Sequence, residues 1–93
     1  MNDSASAFAR QHARVFGGAA EPQPSGTVVA CGAYWPEPMT ISGDLYAGAV
    51  LLAYYATGCA ARDPDIDAEV CQALIRVGVH ARPATIYERE TIA

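Results

Sequence analysis

From Leu45 to Ala61 the chain carries no charged side chain. That stretch just reaches the short limit of ~17 residues for a helix crossing a bilayer, so it must either span a membrane or be covered by protein. Alanine outnumbers leucine in it, Gly48 and Gly58 interrupt it, and Tyr46, Tyr54 and Tyr55 are spread through it, with two of them at mid-segment. A membrane span would instead be rich in leucine, with its tyrosines at the two interfaces. The reading is a buried core helix. Thr40 or Ser42 is expected to cap it, Asp44 to sit in its first turn near the positive dipole end, and Gly58 to terminate it after Thr57. A helix apolar nearly all round belongs in the middle of a fold. The small residues Ala47, Gly48, Ala49, Ala53 and Ala56 would let another element approach closely, and the tyrosines are expected to be core.

Two further helices follow from periodicity and caps. Asp3 or Ser4 caps the first, in which Ala5, Phe8, Ala9, His12 and Phe16 recur on one face. Arg10 and Arg14 lie opposite, and Gly17 and Gly18 end it. The last helix has Asp63 as cap, Pro64 at the first helical position and the acids Asp65, Asp67 and Glu69 near its dipole end. Its apolar stripe is Ile66, Val70, Ala73, Leu74 and Val77, with Asp65, Glu69, Gln72 and Arg76 on the other side, and it should stop at Gly78.

Strand signals are shorter. Residues 19–26, AAEPQPSG, read as a loop, and Thr27 to Tyr34 as a strand buried on both faces. Trp35, Pro36, Glu37, Pro38 and Met39 read as a rigid loop, because two prolines remove ladder donors. Partial alternation from Ala84 to Ile92 gives a terminal strand in which Glu88 is an exposed position of little structural weight. The order helix, strand, helix, helix, strand describes an α+β fold, a small sheet packed by helices in a single domain covering residues 1–93.

Composition narrows function mainly by exclusion. The chain has no lysine, and its net charge of −4 with no basic run argues against direct nucleic-acid binding. An acid and an arginine stand in the N-terminal segment where a secretion signal needs a continuous apolar stretch, so a cytoplasmic protein is expected. Cys31, Cys59 and Cys71 lack paired spacing and read as reduced thiols. A core this small contributes little net stability, and a homodimer would add burial.

Candidate chemistry is sparse. Asp63, Asp65 and Asp67 copy the start of an EF-hand loop, but Ala68 and Leu74 stand where glycine and a bidentate glutamate are required. No two of Cys31, Cys59, Cys71, His12 and His80 have zinc-knuckle spacing, so no metal or other cofactor is expected. Thiol catalysis would need a cysteine beside His12 or His80, and nothing local brings one there. His12, at the centre of an apolar face, reads as a hydrogen-bonded core histidine.

What is left is an acidic helix face and a loop-borne tryptophan. The expected function is a non-enzymatic interaction protein that uses Asp65, Glu69 and Trp35 to bind, and in one form inhibit, a protein partner with a basic surface. In size and charge, though in no motif, the chain is similar to small phage-encoded inhibitors of host nucleic-acid-targeting defence complexes. The alternative is a small cysteine- or histidine-dependent enzyme or ligand-binding domain with a pocket at a dimer interface.

Overall fold

Helical spacing of apolar residues produces α1 (Asp3–Phe16), and the expected residues Ala5, Phe8, Ala9, His12 and Phe16 are buried, joined by Val15, which was not expected on that face. Arg10 and Arg14 are exposed on its far side, where Arg14 donates to the Gln11 side-chain oxygen at 3.1 Å. The computed structural model describes residues 3–32, 35–58 and 64–92. Gly17 and Gly18 close the helix. Gly18 has φ 73°, and a Cβ there would lie 2.1 Å from the carbonyl oxygen of Cys31, so a side chain is excluded on both counts.

The sheet has four strands, β1 (Ala20–Pro22), β2 (Val28–Ala30), β3 (Met39–Gly43) and β4 (Val79–Pro83), antiparallel and in that spatial order. One of them, β1, lies inside an expected loop. Residues 20–22 form an edge strand, where the missing donor of Pro22 is tolerated. Gln23 and Gly26 close its turn, with the Gly26 amide donating to Gln23 O at 2.9 Å. The expected strand from Thr27 to Tyr34 is a ladder only over Val28–Ala30, and Ala33 and Tyr34 lie outside the described residues.

Thr40 and Ser42 cap no helix; they are in β3, which begins immediately after Pro38 because Met39 is the first residue past the two prolines. The cap of α2 (Leu45–Gly58) is Asp44, whose Oδ1 accepts from the Ala47 amide at 3.0 Å. The next helix, α3 (Pro64–Arg76), ends in a turn at Val77–Gly78, and its expected cap, Asp63, lies outside the described residues.

The terminal strand is corrected too. Pairing occupies Val79–Pro83, and the segment after it turns into a short helix, α4 (Ile86–Arg89). The cause is a capping box. Glu88 N donates to Thr85 Oγ1 and the Thr85 amide donates to the Glu88 carboxylate, which fixes helical geometry over residues that would otherwise alternate.

These elements realise the expected α+β fold, with four strands where two were expected. Val28, Ala30 and Ile41 face the helices; Val29 and Thr40 share the opposite sheet face with Arg82. That second face is covered by the C-terminal residues. The Gln23 amide group donates to Thr91 Oγ1 at 3.1 Å, and Arg82 holds Glu88 through two hydrogen bonds of 2.9 and 3.0 Å. On the helix side α2 crosses α1 at Gly48, where a Cβ would meet the Phe8 ring and Val79 Cγ2, each at 2.8 Å. The small residue sets how closely the two helices approach.

The expectation that α2 is buried all round fails. Leu45, Ala49 and Leu52 are buried, but Tyr46, Val50 and Tyr54 are 69%, 57% and 73% exposed. At 14 residues the helix is also too short for a bilayer, and no helix among the described residues is long and apolar enough to cross one.

Candidate functional site

Three surfaces gather the residues with chemical or binding potential. The first is a ring cluster at the junction of α1 and the segment preceding β3. Trp35, half-buried, donates from Nε1 to Nε2 of His12 at 2.8 Å. The His12 ring is fully buried, 4.6 Å from Phe16 and 5.9 Å from Phe8 between centroids. An accepting Nε2 carries no proton, so the histidine is neutral with its ring proton on Nδ1. Both residues are thereby tied into the structure. Trp35 does not project as a free anchor, and His12 has no solvent access for acid–base work.

The second surface is the outer face of α2. Tyr46, Val50 and Tyr54 follow one another at intervals of a single turn, which sets them in a row along the helix. The Tyr54 and Tyr55 rings meet edge to face with centroids 5.5 Å apart. No charged residue occurs anywhere in the helix. This stripe was missed because both sides of α2 are apolar, so hydropathy alone cannot orient it. Size could have oriented it: glycine and alanine face the crossing helix, while tyrosines with polar tips take the wet side.

The third surface is the α3 face expected to be acidic. Glu69, Gln72 and Arg76 are exposed there, as expected, while Val70 and Leu74 are buried. Asp65 belongs to α3, but its side chain lies outside the described residues. Asp67 is buried. An unexpected neighbour, Ile75, is 59% exposed.

Between α3 and the sheet lies a cleft of about 310 Å³. Buried Phe8, Ile41, Leu74 and Val79 floor it, Trp35 lines it, and the exposed residue Gln72 stands at its mouth. Cys71, half-buried, also lines it, a thiol that sequence spacing could not connect with this concavity. Cys31 is elsewhere and Cys59 lies outside the described residues. Among the described residues no three His, Cys, Asp or Glu side chains converge where they could hold a metal ion.

The strongest electrostatic feature belongs to the C-terminal clamp. The Arg82 guanidinium, and after it the Thr85 amide, push the Glu88 carboxyl down to about 2. Glu88, expected to be of little structural weight, is the residue that closes the second sheet face. Arg89 reaches Glu37 at 3.4 Å and adds a looser tie to the loop before β3.

Comparison of the chain with protein-family models, with curated protein sequences and with solved structures finds no match.

Proposed function

We propose that this chain is a non-enzymatic interaction protein whose principal binding face is the Tyr46, Val50, Tyr54 stripe of α2. One observation carries the reading: three large apolar side chains lie exposed in a row on a helix without charge, in a chain with a net charge of −4. Contiguous apolar surface left open on a small protein marks a contact site, and tyrosine is among the residue types that dominate interface energetics.

The acidic remainder of the surface defines the partner. It is a protein with an apolar patch bordered by basic residues, which would meet the stripe and be steered by acids such as Glu69. Proteins that handle nucleic acid carry such basic surfaces, and a domain of this kind seated on one would inhibit by occlusion. The expected anchor Trp35 is replaced in this reading by the α2 tyrosines.

Site-specific photocrosslinking tests it. A photoreactive phenylalanine analogue placed at Tyr54 should trap one protein at one-to-one stoichiometry in the source cell. The same analogue at Ile86, which is 76% exposed on the far segment, should not. Equal capture from both positions would remove α2 as the binding face.

A further inference from the structure

The cleft between α3 and the sheet goes beyond the interaction reading and does not depend on it. Its floor is recessed: Phe8 is 0% exposed and Ile41 2%, so a flat protein surface laid over the mouth would leave the bottom untouched. Its volume of about 310 Å³ falls at the lower end of the range in which small-molecule sites occur.

We propose that this cleft binds a small, uncharged, largely apolar molecule built on one or two flat rings, with its one polar substituent directed to the mouth. Among the described residues that line the cleft none carries a formal charge, although 17% of the chain is Asp, Glu, Lys or Arg. A charged ligand would lose its hydration without gaining a counter-charge, which is strongly unfavourable. Ring recognition comes from Trp35, whose indole is held by its hydrogen bond to His12 before any ligand arrives. With that N–H already engaged, the tryptophan offers aromatic surface rather than a donor. Hydrogen bonding is left to Gln72, exposed at the mouth, where one polar group could keep partial contact with water.

The chain contains a single tryptophan, so its emission reports on the cleft directly. The probe is N-phenyl-1-naphthylamine, which is uncharged, has flat rings and accepts energy from indole. Titration should quench Trp35 emission saturably at one probe per chain. Saturating probe should also slow iodoacetamide labelling of Cys71, which lines the cleft, but not of Cys31, as read by peptide mass spectrometry. Two variants fill the cleft from opposite walls, Ala81→Phe on β4 and Ala68→Phe on α3, both at exposed positions. Whichever retains the native circular dichroism should lose both effects, while Val50→Glu on the α2 stripe should retain them. Unsaturable quenching, quenching without protection of Cys71, or binding that survives in the filled variants and disappears in Val50→Glu would overturn the proposal. The last result would place the probe on α2 and leave the interaction reading intact.

Discussion

The indole N–H of Trp35 donates to Nε2 of His12 across 2.8 Å, joining the loop before β3 to the middle of α1. The histidine is completely buried, so replacing it takes away the acceptor that the indole N–H reaches inside the core. His12→Phe should therefore destabilise the fold by about 1–3 kcal/mol even though phenylalanine suits the surrounding rings. Urea unfolding followed by tryptophan emission measures this, with Arg10→Ala on the exposed face as a control expected to shift stability by less than ~0.5 kcal/mol. Equal effects of the two changes would show that the hydrogen bond does not tie the loop down.

The sequence reading succeeded where one face of an element is apolar and the other polar. Phe8, His12 and Phe16 on α1, and Val70 and Leu74 on α3, are buried as their spacing required. It failed where pattern was uninformative. The apolar surround of α2 concealed which side Tyr46 and Tyr54 face, and β1 and β3 are too short, at three and five residues, to show alternation beside prolines. At the C-terminus the alternation from Ala84 was real, but the Thr85 and Glu88 capping box outweighed it through local hydrogen bonds. The cleft depended on tertiary contact between residues as distant as Phe8 and Cys71, and no local signal encodes it.

Replacing glycine by alanine inside a helix ordinarily stabilises by up to ~1 kcal/mol. At Gly48 the sign should reverse. The new methyl would stand 2.8 Å from both the Phe8 ring and Val79, two buried side chains that would have to shift, and overpacking of this sort costs about 1–3 kcal/mol. Gly48→Ala should lower the urea midpoint. A raised midpoint would mean that α1 and α2 do not cross this closely.

Glu88 is held at about 2, below its ordinary 4.5, chiefly by Arg82. A carboxylate depressed on folding contributes stability that is fully present above 4.5 and is lost as pH falls toward 2. Native protein should accordingly be more stable than Glu88→Gln at pH 6, and the difference should shrink steadily through that window. A difference that is constant with pH would assign the clamp to packing rather than to charge.

The acidic and apolar surfaces should affect binding through different rate constants. Glu69→Arg should slow association with a basic partner, and added salt should reproduce that slowing in the native chain. Val50→Glu should act mainly on dissociation, because it places a charge in the desolvated contact. Surface plasmon resonance with the crosslinked partner separates the two, and identical kinetic effects would show that the stripe and the acid do not have distinct roles.

If a partner binds at the uncharged stripe of α2, a charge placed on that stripe should abolish capture while a charge placed elsewhere should not. Quantitative affinity capture from the source cell would use the native chain, Val50→Glu and Ile86→Glu, with circular dichroism confirming that all three are folded. Val50 and Ile86 are 57% and 76% exposed, and the two substitutions change net charge equally. A stoichiometric partner should be retained by the native chain and by Ile86→Glu and lost by Val50→Glu. A partner held equally by all three would contradict binding at the stripe.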